Sequence, residues 1–353
     1  MKRTLSLLLT AALALSLLAG CGPKTPAGSS ASSSGSGQDS SYDMSTPTNE
    51  LPRITFMALS GPTGVGASWL MKNYDAHSDF SDKLFTVDST IVTDNKEVTD
   101  AVINRDTQFA AVATNVAAML SARSDGAIQV LAVNTLGVLY ILEKGDTVHN
   151  MADLKGKTLY APSNTKGANP EHILNHLLEG NGVDPSEVNI EWLTPQEITA
   201  KMSSSDAGIC MLPVPAATAL LVKDSAVREA ISLSDAWMDL EESPLPMGCL
   251  VARTDYIEEC PDMVERFLYA YQESIEFMSD PANIAGASAL VAEYGFAPNA
   301  KVAEKAIPQC SLTFVTGQEM RDMLEDYYSI LFQAAPESIG GGLPYDSFYY
   351  GVD

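Results

Sequence analysis

Residues 61–68 read Gly-Pro-Thr-Gly-Val-Gly-Ala-Ser. That is the spacing of a phosphate-gripping loop, G-x-x-x-x-G-K-[ST], with Ala67 standing where the lysine belongs. Glycines ahead of a helix let backbone N–H groups approach an oxygen ligand closely, and the helix dipole adds partial positive charge. Without the lysine there is no charge to hold β- and γ-phosphates, and no aspartate-ended strand follows to hold magnesium. The stretch therefore points to a carboxylate, sulfonate, phosphate or carbonyl oxygen rather than to nucleotide hydrolysis. Ser60, Gly61, Pro62, Thr63, Gly64 and Gly66 are its candidate contacts, and a plain structural turn is the alternative.

A second polar, glycine-containing run, Ser163-Asn164-Thr165-Lys166-Gly167, offers hydroxyl and amide donors, with Lys166 as complement to an anion. His172 and His176 lie four apart and share a helix face. The segment is EHILNH rather than H-E-x-x-H, and both histidines flank the apolar stripe Ile173, Leu174, Leu177 and Leu178. A solvated flank is the expectation, with no metal. No G-x-S-x-G elbow is present, and the acidic pairs Glu241-Glu242 and Glu258-Glu259 fall in loops or helix starts. Neither an enzyme nor a cofactor is expected. Tyr345, Phe348, Tyr349 and Tyr350, after Gly340-Gly341-Gly342, read as core buttresses.

The elements that must position these residues come in two similar sets. Strand Ile54–Leu59 leads through the glycine loop into a helix from Gly66 to Tyr74. A strand at Leu84–Thr90, a helix at Lys96–Asn104 and a strand at Phe109–Ala113 follow, and Thr114-Asn115 turns into a helix over Val116–Ala122. From Asp153 the order repeats: strand Thr158–Ala161, loop Pro162–Gly167, helix Pro170–Leu178, strand Asn189–Leu193, helix Gln196–Ser203, strand Ile209–Leu212. Pro213-Val214-Pro215 then turns into a helix near Ala216–Val222. Alternating short apolar strands and helices indicate parallel α/β units. At an offset of one hundred, Glu97, Thr99, Asp106, Ala117 and Leu120 recur as Glu197, Thr199, Asp206, Ala217 and Leu220, an echo weak alone but agreeing with the topology. Ligands of open α/β sheets sit beyond the strands' carboxyl ends. Four loops lie there: Ser60–Gly66, Thr114-Asn115, Ser163–Gly167 and Pro213–Pro215. Their convergence on one small molecule is the simplest use of the plan.

The first fifty residues have another purpose. Lys2 and Arg3 precede the apolar run Leu5–Leu18, and Leu18-Ala19-Gly20-Cys21 ends it. That pattern resembles a bacterial lipobox, which implies a signal peptide over 1–20, a lipid on Cys21, and a membrane as partner. Residues 21–50, rich in Ser and Gly with almost no large apolar side chains, read as a flexible linker. No later stretch is long and apolar enough to span a bilayer, so a soluble body is expected. The formal charge is −24, which argues against nucleic acid as a partner. Cys210, Cys249, Cys260 and Cys310 show no C-x-x-C pair. A Cys210–Cys249 disulfide and buried free thiols are both open.

Residues 153–194, DLKGKTLYAPSNTKGANPEHILNHLLEGNGVDPSEVNIEWLT, resemble the second-lobe opening of ABC-transporter substrate-binding proteins of the nitrate/sulfonate/taurine and thiamine-precursor (NMT1-like) type. Asp153-Leu154-Lys155-Gly156-Lys157 and Gly182-Val183-Asp184-Pro185 carry most of the match, with Ala207–Pro215 and Pro261–Met278 fitting further on. The resemblance implies an α/β, two-lobed type II periplasmic-binding-protein fold with a cleft between lobes. Residues 51–138 plus 250–353 would form lobe 1 and 139–249 lobe 2, hinged at Asn134–Leu142 and Met247–Val251, where Gly137 and Gly248 suit a hinge. It implies a monomer on the extracytoplasmic face of the cell membrane that binds a small anion or heterocycle and delivers it to an ABC permease. A surface lipoprotein acting as a sensor or binding a macromolecule, or an enzyme on the same fold, are the alternatives. The cysteine-rich motif of the fold's pyrimidine-making enzymes has no match here. Asn134, Thr135, Thr114, Asn115, Pro213, Val214 and Pro215 join the two glycine-bearing loops as candidate ligand contacts.

Overall fold

The computed structural model describes residues 51–352; the signal segment, Cys21 and the linker lie outside the described residues. The chain opens with β1 (Arg53–Leu59), helices α1 (Pro62–Val65) and α2 (Ser68–Asn73), β2 (Thr86–Val92), α3 (Asn95–Ile103), β3 (Phe109–Ala113), α4 (Thr114–Arg123) and β4 (Ile128–Thr135). It crosses into β5 (Leu139–Lys144), β6 (Thr158–Pro162), α5 (Asn169–Gly180), β7 (Asn189–Leu193), α6 (Pro195–Ser204), β8 (Gly208–Pro213), α7 (Ala216–Lys223), β9 (Val227–Ser232) and α8 (Leu233–Glu241). It returns through β10 (Gly248–Arg253), α9 (Thr254–Glu259), α10 (Pro261–Ser279), α11 (Ile284–Glu293), α12 (Ala300–Ala306), β11 (Leu312–Val315) and α13 (Gly317–Ala334).

Sequence pattern accounts for these elements. Ile54, Phe56 and Ala58 alternate inward along β1, whereas β3 is apolar throughout and occupies the interior of its sheet. At α6, Thr194 and Glu197 form a reciprocal capping box with Pro195 in the first turn, which fixes the helix start. Offset by one hundred, α3 and α6 begin at Asn95 and Pro195, and β3 and β8 end at Ala113 and Pro213.

One sheet runs β11-β4-β10-β3-β1-β2 and the other β7-β6-β8-β5-β9. In each, three parallel strands (β2-β1-β3 and β7-β6-β8) meet an antiparallel neighbour. That neighbour arrives through a crossing from the other half: β10 on its return, β5 just after leaving β4. Each sheet is thus completed across a crossing, and the fold is the two-lobed type II periplasmic-binding-protein arrangement. The expected second boundary, between Cys249 and Leu250, falls inside β10, and most of the two expected hinge segments is strand. The first crossing narrows to residues 136–138. It is tied to the return chain, where Leu136 N–H donates to the Ser311 carbonyl at 3.0 Å and Ser311 Oγ donates to the Gly137 carbonyl at 2.9 Å.

Packing distinguishes the lobes. Helix α10 lays Phe267 and Tyr271 on lobe 1's sheet, with the Phe267 ring stacked on Phe109 at 3.9 Å between centroids. Cys210 in β8 and Cys249 in β10 are buried in different sheets and free, which sets aside the disulfide. Burial pushes the Cys210 thiol up to about 12 and the Cys249 thiol higher still, so both behave as small apolar groups. Phe348 and Tyr349 buttress the core as expected, but Tyr345 is 81% exposed. No helix among the described residues is long and apolar enough to cross a membrane.

Candidate functional site

The glycine run of lobe 1 is not an open loop. Residues 62–65 wind into α1, and the amides an anion would need are bonded within the turn. Gly64 and Val65 N–H donate to the Gly61 carbonyl at 3.1 and 3.3 Å, and Ala67 N–H donates to the Gly64 carbonyl at 3.2 Å. Ser60 N–H donates to the Val92 carbonyl at 2.7 Å. Gly61, at φ 117°, needs to be glycine for its conformation. Gly64 and Gly66 need to be glycine for packing: a Cβ would lie 2.6 Å from the Leu59 carbonyl oxygen at Gly64, and 2.2 Å from Ile275 Cδ1 at Gly66. Sequence reading assigned these two to ligand approach; they instead let α10 and Phe296 close over the turn. Pro62 starts α1, and Thr63 is buried beneath it.

The matching turn of lobe 2 faces solvent. Ser163, Asn164, Lys166 and Gly167 are exposed, and Thr165 turns its hydroxyl inward to the Pro162 carbonyl at 2.6 Å. Gly167 N–H donates to the carboxylate of Glu171, so the chain's own anion occupies that amide at the start of α5. Lys166 N–H and Ala168 N–H are used inside the turn.

Between the lobes lies a seam at the carboxyl ends of β3, β4, β6 and β8. Thr114 is fully engaged within it. Its hydroxyl and N–H donate to the carbonyls of Pro246 and Met247, at 2.8 and 3.3 Å, and its carbonyl accepts from Tyr328 at 2.8 Å. Asn115 Nδ2 donates to the Ser338 carbonyl at 3.3 Å, which leaves Asn115 Oδ1 without a partner. Asn134 Nδ2 donates to the Tyr271 hydroxyl at 2.8 Å, and Asn134 Oδ1 and Thr135 Oγ1 are buried and unpartnered. From lobe 2, Val214 packs into lobe 1's apolar cluster, flanked by half-buried Pro213 and Pro215.

Several seam residues went unrecognised in the sequence. Asn169, at the first turn of α5, donates from Nδ2 to Met247 Sδ at 3.7 Å and accepts from the Tyr327 hydroxyl. Thr218 Oγ1 donates to Gln309 Oε1 at 2.6 Å, a second bond between lobes. The Trp237 ring lies 5.9 Å from that of Tyr327. Position just before Pro170 could have marked Asn169; Tyr327 and Trp237 look like any core aromatic. His176 is a half-buried residue whose Nε2 meets a Glu241 carboxylate oxygen at 2.6 Å, against the expected solvated flank. Cavities of about 490 and 590 Å³ lie on the outer surface of lobe 1, away from these loops.

Burying a polar group without a partner costs on the order of 1–3 kcal/mol, so Asn115, Asn134 and Thr135 stand out from the fully bonded Thr114 beside them. Solved structures share the architecture. An ABC transporter protein from Parabacteroides distasonis aligns at TM-score 0.66 and 20% identity, over 84% of this chain and 98% of that one. The periplasmic aliphatic sulphonate binding protein of Escherichia coli aligns at TM-score 0.63 and 15% identity, over 82% and 90%. A ligand-binding component of an ABC-type import system from Staphylococcus aureus aligns at 0.61 and 15%, over 84% and 96%. No curated protein matches the chain. The NMT1/THI5-like family model matches residues 83–284, which span the return of the chain from lobe 2 to lobe 1 as well as most of both sheets. With more than half its length under that one model, on the fold those relatives share, the chain belongs to the NMT1/THI5-like family.

Proposed function

We propose that this protein is an extracytoplasmic solute-binding protein, not an enzyme, which encloses one small organic molecule between its lobes and delivers it to an ABC importer. The observation that carries the reading is the seam itself: polar side chains gather where β3 and β4 end, at Thr114, Asn115, Asn134 and Thr135, and Asn169 of lobe 2 bonds across to Met247 and to Tyr327 of the return chain. Two lobes, 51–138 with the return segment and 139 to the end of α8, would rotate about the crossings at residues 136–138 and 242–247. Among the candidate contacts, Thr63, Asn115, Asn134, Thr135, Asn164, Lys166 and the Pro213–Pro215 turn keep groups that an opened cleft would present. A lipid on Cys21 and the linker over 21–50 would hold a monomeric body near the membrane permease.

Heating the purified protein with and without candidate solutes tests the reading, because a ligand of the folded state raises the melting temperature. Sulfonates, carboxylates and pyrimidine-type heterocycles form the first panel. A saturating hit should also change the radius measured by small-angle scattering, and an unchanged radius would count against lobe closure. Cys21→Ala should release the protein from the membrane fraction.

A further inference from the structure

Lobe 1 carries a recess at the end of its sheet opposite the seam. The seam gathers where β3 and β4 end, whereas a cavity of about 490 Å³ lies where β2 begins, against α10. Its size falls within the range of about 300–1,000 Å³ that small-molecule sites occupy. One wall is α10. Asp262, Arg266, Tyr269 and Glu273 recur there three or four residues apart and share an outward face, while Phe267 and Tyr271 point into the core. The other wall is the segment between α2 and β2, which brings Phe80, Asp82, Leu84 and Phe85. Local bonds hold that segment in place. Val87 N–H donates to the Tyr74 carbonyl at 2.7 Å, and Lys83 Nζ donates to the carbonyls of Asp75 and Ser78 at 2.8 and 2.6 Å. The wall is therefore formed ahead of any ligand, and its lysine is turned to backbone oxygens.

The lining is aromatic and acidic. Tyr74 stacks on Phe85 at 4.7 Å between centroids, and Phe80 lies 5.5 Å from Tyr74, so the floor is a packed group of rings. Four carboxylates, those of Asp82, Asp262, Glu265 and Glu273, line the cavity against one guanidinium, Arg266. Burial, then Glu273, Tyr269 and Asp82, raise the Tyr74 hydroxyl above its usual value, and Glu273 does the same to Tyr269. At the rim, Leu84 and Tyr269 are 55% and 65% exposed. Scattered exposed apolar side chains are ordinary, but these two border the same recess. An anion here would meet four like charges, and a neutral apolar molecule would strip water from the carboxylates with nothing in return. A cation with an apolar body suits both features, since ring faces and carboxylates alike attract positive charge.

We propose that this cavity is a second ligand site, separate from the space between the lobes, which takes a small organic cation bearing an ammonium group on an aromatic or alkyl body. The ammonium sits between the Glu273 carboxylate and the Tyr269 ring, and the body lies over Phe80 and Leu84.

Titration calorimetry on the full-length protein compares benzyltrimethylammonium and phenethylamine with phenethyl alcohol, 3-phenylpropionate and tetralysine. The expected result is saturable binding of the two arylammonium ions that weakens as salt rises, with none of the alcohol or the carboxylate. Glu273→Gln and Tyr269→Ala should each weaken that binding about fivefold and leave the unliganded melting temperature in place, since both side chains lie on the outer face of α10. Asp82→Asn repeats the test from the opposite wall without touching that helix. Equal binding of the alcohol would make the recess a plain apolar groove and overturn the proposal. Binding of tetralysine alone would give the face to a basic polypeptide and overturn it as well. Arylammonium binding that all three variants leave unchanged would place the cation elsewhere, and no binding at all would remove the site.

Discussion

The first strand-to-helix turns of the two lobes occupy equivalent places, after β1 and after β6, and have opposite fates. In lobe 1 the turn is buried under α10 and α11, with Gly64 and Gly66 pressed against Leu59, Phe296 and Ile275. In lobe 2 the turn is exposed, and a Cβ on Gly167 would meet no atom within 4 Å. The difference comes from what the chain adds later. Residues 254–334 return to lobe 1 and roof its first turn, while lobe 2 receives no such roof. Glycine therefore serves packing at positions 64 and 66 of the first turn and conformation at Gly61 and Gly167.

The comparison can be broken most severely at Gly66. Gly66→Val should cost about 3 kcal/mol or prevent folding, because overpacking has no room to relax beside Ile275; chemical denaturation measures it. Stability like that of the parent would dissolve the contrast.

Lobe 2 buries a carboxylate, that of Glu143. Burial alone would raise the Glu143 carboxyl, but the hydroxyl and N–H of Thr147, the N–H of Val148 and the Arg228 guanidinium together hold it below its ordinary value of 4.5. A lowered folded value gives stability that is complete above the unfolded value and is lost as pH falls through the folded one. Glu143→Gln should therefore cost about 2 kcal/mol at neutral pH. The deficit should shrink below pH 4.5, as denaturation curves across that range would report; a constant deficit would point to shape rather than charge.

Between the lobes, Tyr327→Phe removes the bond to Asn169 and leaves Asn169 Oδ1 unpaired. A loss of about 1–2 kcal/mol is expected, along with easier opening, seen as a larger scattering radius without ligand. At the exposed turn, Gly167→Ala should cost about 1 kcal/mol from its left-handed backbone alone, at φ 66°. Lys166→Ala, a solvent-facing change in the same turn, should leave the melting curve unmoved; a clear shift would show that this turn too is packed.

Much of this architecture was legible in the chain. Strands Phe109–Ala113 and Asn189–Leu193 have their predicted bounds, and the alternation of elements gave two α/β halves. The strands β4, β5, β9 and β10 were harder to read because they pair antiparallel with partners distant in the chain, a relation with no local period. At the site, Asn134 and Thr135 were singled out as the chain's entry to a crossing, but Asn169, Trp237 and Tyr327 were missed. Helical periodicity marks an inward face without saying which neighbour it meets. The glycine motif misled for the same reason: spacing gives the backbone freedom of a turn and nothing about what will cover it.

The sequence alone set many helix and strand boundaries, through caps, apolar period and proline placement, because those forces act within a few residues. It also determined that a phosphate grip of the lysine type is absent, since Ala67 cannot supply the charge. Tertiary packing settled that Gly64 and Gly66 face a core, that the Glu171 carboxylate takes the Gly167 amide, and that Asn169 meets Tyr327 between the lobes. Those outcomes depend on contacts between residues as far apart as Gly66 and Ile275, or Asn169 and Tyr327, and such contacts exist only once the chain has crossed and returned.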